Sequence, residues 1–140
     1  MPRVELQPLR EYQFSRDLVV RVTDLNYGGH LGNDRLLALV HEARVAFLAS
    51  QGWSEKNCGG VSLIMGDAAI VYQGQAYAGD TLRFEVAMGE PSRCGFRLFY
   101  RVTRVSDGKP VALVETGMIC FDYTTQKVRP LPTEVRTACA

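Results

Sequence analysis

Histidine is scarce in this 140-residue chain, which has two, and no two of its four cysteines (Cys58, Cys94, Cys120 and Cys139) form a Cys-x-x-Cys pair. A zinc or other metal site is therefore not expected. Excess charge is lacking as well: 16 Lys and Arg against 15 Asp and Glu leave a formal +1. That balance fits neither a nucleic-acid coat nor a trap for acidic ligands. No stretch approaches the roughly 18 apolar residues that a membrane span needs. The opening MPRVELQPLREYQFSRD has no apolar core of about 7 to 15 residues of the signal-peptide kind. The expectation is a cytoplasmic protein with reduced thiols, contacting neither membrane nor nucleic acid. Repeats, low-complexity runs and linkers are also missing, and Pro130 and Pro132 mark only a short irregular tail.

What is there reads as one domain spanning 1–140, 46% hydrophobic and 22% charged, average for a globular chain. Such a length buries roughly two thirds of its unfolded surface. A first strand is expected over 12–23, weighted by Leu18, Val19, Val20 and Val22. A helix follows over 34–51, with Asn33 or Asp34 able to cap it and Gly52 placed to end it. Four more strands are expected at 61–77, 80–88, 95–105 and 110–122. Turn-forming runs separate these four: Ala78-Gly79-Asp80, Gly89-Glu90-Pro91-Ser92 and Ser106-Asp107-Gly108-Lys109. Short connections make neighbours antiparallel, so these strands read as a meander. Arginines gather in this half (Arg83, Arg93, Arg97, Arg101, Arg104) and are expected on a solvated sheet face.

The helix is unusual. At about 100° per residue, Leu36, Val40 and Phe47 make one bulky stripe, flanked by Leu37 and Leu48. The opposite side carries Ala38, Leu39, Val45, Ala46 and Ala49, with Glu42 at its centre. Only a narrow wedge around Asp34, His41 and Arg44 is polar. A helix apolar on both sides is expected to be wrapped by sheet. The fold class is therefore α+β: a long central helix wrapped by a curved antiparallel sheet of about five strands.

Directly before the helix, Thr23 to Asp34 (TDLNYGGHLGND) places acid, amide and imidazole groups on a glycine-hinged turn. The run RVTDLNYGGHLGNDRLLALVHEARVAFL resembles the opening of the hotdog-fold thioesterases, in the 4-hydroxybenzoyl-CoA thioesterase-like group. Gly29-His30-Leu31, Asn33 and Glu42-Ala43-Arg44 carry the resemblance, and Tyr72 to Gly79-Asp80-Thr81-Leu82 resembles the family's second-strand and turn signature. Two positions depart from it. The family's catalytic Asp, four residues before the His, is Asn26 here, and Gly32 replaces the first Asn of a pair.

The resemblance implies hydrolysis of an acyl-CoA or acyl-carrier-protein thioester, with no cofactor beyond the coenzyme A of the substrate. It also implies a homodimer or dimer of dimers whose sheets join edge to edge, with each active site at the subunit interface. Thioester hydrolysis needs a polarised carbonyl and a carboxylate nucleophile or base-activated water. Asn26 cannot supply the carboxylate. The nearest acids are Asp24, on the same strand face as Asn26 if the strand persists, and Glu42. A Glu among small apolar residues is expected to carry a raised pKa or a partner, functionally or as a structural pair with Arg44 or Arg35. His30 can orient water or bind the carbonyl. Gly28 and Gly29 allow close approach of backbone to ligand, and the resemblance sets the thioester oxygen near the Gly29 and His30 amides. Asn26 and Asn33 can hold a water or tie the turn to the helix. Asp67, interrupting an apolar strand beside Gly66, marks a bulge, an edge or a further acid. Two other readings stay open: a non-catalytic acyl-thioester binding protein, and a dehydratase or hydratase on the same fold.

Overall fold

The computed structural model describes residues 3–139. Strand β1 (Phe14–Val19) leads through a short 3₁₀ turn (Val22–Asp24) into helix α1 (Asn33–Ser50). Then come β2 (Ser62–Tyr72), β3 (Thr81–Gly89), β4 (Gly95–Arg104) and β5 (Pro110–Asp122). A two-residue β6 (Lys127–Val128) and helix α2 (Thr133–Ala138) organise the segment expected to be an irregular tail. Val135 of α2 is fully buried, and that anchor is why the tail is ordered.

One antiparallel sheet results, in the order β1-β3-β4-β5-β2, with β6 on the end of β5. The expected meander holds for β3, β4 and β5 only. Strand β2 pairs with β5, from Ser62↔Phe121 to Tyr72↔Ala112. It therefore lies three strand spacings, roughly 14 Å, from β3. Residues 73–80 span that gap easily, since an extended stretch of that length reaches on the order of 25 Å. This segment is pinned by Gln73 N–H to the Val111 carbonyl at 2.8 Å and by Leu31 N–H to the Ala76 carbonyl at 2.7 Å. It thus runs beside the start of α1.

Alternation along the strands sorts two faces. Leu82, Phe84, Val86 and Met88 of β3 and Phe96, Leu98, Tyr100 and Val102 of β4 are buried in the core. The other face carries cross-strand pairs: Arg83 with Asp17, Arg101 with Glu85, and Arg97 with both Asp67 and Glu115. Three of the five arginines expected on a solvated sheet face are therefore there; Arg93 lies in the β3–β4 turn, and Arg104 turns to the Gln75 carbonyl and Asp107. The ladder shifts register between Met65 and Asp67, so the bulge beside Gly66 is present. Asp67 and Arg97 both stand opposite Gly117 and reach across it from the two neighbouring strands. A side chain at 117 would occupy the space their ion pair fills.

Helix α1 lies on the core face through Leu36, Leu39, Val40, Ala43, Phe47 and Leu48. Phe47 meets Phe14 of β1 edge to face, with centroids 5.8 Å apart. Burying such a ring is worth about 2–3 kcal/mol. The helix starts at Gly32 without a side-chain cap, so neither Asn33 nor Asp34 caps it. It ends as expected at Gly52, whose φ of +80° suits glycine. There, Trp53 N–H donates to the Leu48 carbonyl and Gly52 N–H to Ala49, the paired bonds of a Schellman stop.

The helix is not wrapped on all sides. Ala38, Glu42, Val45 and Ala49 form an exposed strip, because one sheet from one chain covers only one side. Arg44, expected in the polar wedge, is instead buried at 6% exposure. Its guanidinium approaches the Tyr100 hydroxyl (3.4 Å) and Glu55 (3.8 Å), while His41 contacts Glu55 at 2.7 Å.

Candidate active site

The glycine-hinged turn folds around one side chain. Asn26 Oδ1 accepts the Gly28 N–H at 2.9 Å and, more weakly, the His30 N–H at 3.4 Å. Asn26 also gives its carbonyl to the Gly29 N–H (3.1 Å) and its N–H to the His30 carbonyl (2.8 Å). With its side-chain oxygen taken up by the turn, its amide NH₂ is the free end. Gly29 needs its positive φ of +81°. Gly28 lies beneath the His30 ring, whose Nε2 is 3.2 Å from where a Cβ would stand. The Gly29 amide, expected near a substrate oxygen, is thus spent on the turn, and the His30 amide makes only a long bond.

The turn, the start of α1 and the crossing segment 73–76 enclose a cleft of about 520 Å³. Asn26, His30 and Asn33 line it together, as the sequence suggested, with Tyr27 on the same wall. Its apolar side comprises Leu31, Leu36, Ala76 and Val111. Tyr72 and Gln75 also contribute, and neither was picked out as a site residue. The Tyr72 hydroxyl donates to the Asn33 carbonyl at 3.0 Å, joining the end of β2 to the helix start. Burial, and then the nearby charge of Asp34, raise its phenol above the ordinary range. The missed signal is positional: once β2 ends beside α1, its last aromatic faces the cleft.

Neither Asp24 nor Glu42 lines this cleft. Asp24 is buried, at 2% exposure. Its carboxylate accepts the Arg21 N–H at 2.9 Å, and its carbonyl accepts the Gly32 N–H at 3.0 Å. The strand ends at Val19 and the chain turns, so the alternation that aligned Asp24 with Asn26 does not apply. Glu42 is exposed on the open strip of α1 and forms no ion pair among the described residues. It is therefore neither embedded in the protomer nor paired with Arg44 or Arg35. Asp67 is held by Arg97 at 2.7 Å on the opposite sheet face, which keeps its carboxyl below the usual range. Asn33 turns its Oδ1 to the Asp34 N–H at 2.8 Å. Its own N–H, in the first turn of α1, meets no protein acceptor among the described residues. Such an orphan amide is available to a ligand oxygen.

Comparison with known proteins places this architecture. A family model described as the thioesterase-like superfamily matches residues 20–139. The chain belongs to the thioesterase-like superfamily. Among curated members, a 1,4-dihydroxy-2-naphthoyl-CoA hydrolase of Synechococcus elongatus is 33% identical over 128 residues, 89% of this chain and 91% of that one. The crystal structure of a 1,4-dihydroxy-2-naphthoyl-CoA thioesterase from Synechocystis superposes with a TM-score of 0.80 at 25% identity, covering 90% of this chain and 94% of the other. A DHNA-CoA thioesterase from Staphylococcus aureus shares the fold, with a TM-score of 0.76 at 16% identity over 84% of this chain and 79% of its own. The α+β hotdog architecture expected from the sequence is the one these thioesterases share.

Proposed function

We propose that this member of the superfamily hydrolyses an acyl-CoA thioester to the free acid and coenzyme A. The observation that carries the reading is the convergence of Asn26, His30 and Asn33 on one cleft at the start of α1. The family match supports the reaction class. In this reading the acyl carbonyl oxygen meets the unpaired Asn33 N–H and the free NH₂ of Asn26. Fixed donors of that kind stabilise the charge developing on the oxygen. His30 orients the attacking water. Water adds to the carbonyl carbon, the carbon–sulfur bond breaks, and the departing thiolate takes a proton. The reaction draws on no cofactor, and coenzyme A enters as part of the substrate.

A base is still required, and no carboxylate lines the cleft of a single protomer. We assign it to the partner's Glu42 in a homodimer. Two features support that assembly. Strand β2 is a long, largely apolar edge strand with an unpaired side, the kind of edge that recruits a second chain. The exposed strip Ala38, Val45 and Ala49 around Glu42 is small enough to admit close approach of another helix. A dimer of dimers is compatible with the same pairing. Four free cysteines suit a reducing, cytoplasmic setting. Asp24 has no role in this mechanism beyond holding the turn.

A second reading, a non-catalytic acyl-thioester binding protein, is favoured by that same lack of an acid in the protomer's cleft. Free-thiol release over aliphatic, branched and aromatic acyl-CoAs separates the two. Hydrolysis calls for turnover above background that drops at least about a hundredfold in Glu42→Gln. Binding of acyl-CoA without any thiol release would establish the second reading instead.

A further inference from the structure

Helix α1 starts without a side-chain cap, and helix ends that lack one fray. Its start is nonetheless tied from outside. On the entry side, Leu31 N–H donates to the Ala76 carbonyl at 2.7 Å and Gly32 N–H to the Asp24 carbonyl at 3.0 Å. In the first turn itself, the Tyr72 hydroxyl, 3.0 Å from the Asn33 carbonyl, makes the one side-chain hydrogen bond that comes from another element among the described residues. Asn33 is the residue so held. Tyr72 takes its carbonyl and the Asp34 N–H takes its Oδ1, which leaves its own N–H free for a ligand.

Tyr72 is firmly seated. It pairs with Ala112 at the end of the β2–β5 ladder. The next two amides, of Gln73 and Gly74, both donate to the Val111 carbonyl, at 2.8 and 3.2 Å. A Cβ at 74 would fall 2.6 Å from the Pro110 carbonyl oxygen, so the chain packs directly on β5 there. Alternation puts Tyr72 on the same sheet face as Ile70, which packs against the core. A tyrosine has few torsions to order, so a fixed backbone places its hydroxyl well. Burial and the Asp34 charge raise the phenol above its ordinary range, and near neutral pH it is therefore protonated and donates. That proton goes to a peptide oxygen, so Tyr72 is not the acid that protonates a leaving thiolate.

We infer that Tyr72 is a positioning residue for thioester hydrolysis: by holding the Asn33 carbonyl, it fixes where the Asn33 N–H stands in the cleft. The inference rests on the hydrolysis reading above and deepens it, since that reading sets the acyl oxygen on this amide. The Tyr72 hydroxyl touches no reacting atom and acts only through Asn33. A donor displaced by about 1 Å can cost on the order of a hundredfold in rate, so a first turn merely loosened should cost about tenfold.

Tyr123 provides the control. Its hydroxyl donates to the Leu63 carbonyl at 3.1 Å, fastening the other end of β2, and the two tyrosines are equally exposed, at 52%. Wild type, Tyr72→Phe and Tyr123→Phe are compared by thiol release across the acyl-CoA panel above, by melting temperature and by NMR relaxation of the Asn33 amide. Tyr72→Phe should lower kcat about tenfold, with KM within about twofold and melting unchanged, the pattern of a contact that serves only the transition state. Tyr123→Phe should match wild type in kcat. In Tyr72→Phe the order parameter of the Asn33 amide should fall from about 0.85 to below about 0.6, while the Val40 amide stays rigid. Wild-type kcat in Tyr72→Phe, or an Asn33 amide as rigid as in wild type, would overturn the inference. So would an equal loss of kcat in Tyr123→Phe, which would mark both bonds as general fastenings of β2. If wild type releases no thiol from any acyl-CoA, the hydrolysis reading falls, and the relaxation data alone decide whether Tyr72 holds the Asn33 amide. Thiol release by wild type, with Asn33 unmoved by Tyr72→Phe, would leave hydrolysis standing and remove Tyr72 from it.

Discussion

In the proposed site Asn26 has two tasks, because its carboxamide oxygen shapes the turn and the residue lines the cleft. Asn26→Asp keeps the acceptor and loses the donor. Its turnover is expected to fall about a hundredfold, the scale of losing one carbonyl-stabilising donor, with the melting temperature nearly unchanged. A faster Asn26→Asp enzyme would mean that the acid belongs at position 26 and that Glu42 is dispensable. The buried Arg44 makes a different demand. Its Nε makes no hydrogen bond among the described residues and stands 3.8 Å from the Glu55 carboxylate, while its Nη1 reaches the Tyr100 hydroxyl. Arg44→Ala should destabilise by about 3 kcal/mol in urea unfolding, since it opens a void and strips both partners; an unchanged midpoint would count against that packing. Burial pushes the Cys58 thiol up to about 12 and the Cys120 thiol up to about 11. Ellman's reagent at pH 8 should therefore leave both unmodified until the protein unfolds.

At the scale of elements, the outer sheet face is laced by arginine–carboxylate pairs. Arg83 lowers the Asp17 carboxyl and Arg97 lowers that of Asp67, while in the β4–β5 turn Arg104 brings Asp107 down to about 2. Groups whose folded pKa is depressed contribute stability that is present above the ordinary aspartate value and is lost as pH falls through the folded one. The urea midpoint should accordingly hold down to about pH 4 and decline towards pH 2. Asp67→Asn should flatten that decline, and an unaltered acid profile would show that its pair adds nothing. These partners are exposed, so the effect is small at neutral pH.

Elements were also where the sequence could be read most and least. Helix α1 announced itself through its length, its apolar content and Gly52. The turn-bounded strands β3, β4 and β5 declared themselves by alternation. The pairing of β2 with β5 was not readable, because 61–77 reads as one strand turning at Ala78-Gly79-Asp80 into its neighbour, and nothing local says that the strand stops at Tyr72 and that residues 73–80 pass across β5 and β4. The same crossing hid Tyr72 and Gln75. Asp24 and Arg44 misled for different reasons: the strand that would have aligned Asp24 with Asn26 stops at Val19, whereas Arg44 is drawn inside by tertiary partners, the Tyr100 hydroxyl and Glu55, that local sequence does not show.

For the molecule as a whole, one protomer offers donors, an imidazole and an apolar wall, but no acid beside them. The exposed strip of α1 and the free edge of β2 supply the reason to expect two copies. Val45→Arg places a charge at the middle of that strip, on a residue already exposed in the protomer, so folding should survive. Sedimentation should then show monomers, and thiol release should disappear with the dimer. An active Val45→Arg dimer would place the interface elsewhere.

The most direct measurement is a crystal structure of the assembled protein with a non-hydrolysable acyl-CoA analogue. The acyl oxygen should lie within about 3 Å of the Asn33 N–H, with the partner's Glu42 facing the sulfur-bound carbon. An analogue whose acyl carbon sits away from the start of α1, or a complex in which Glu42 remains in open solvent, would contradict the proposed site.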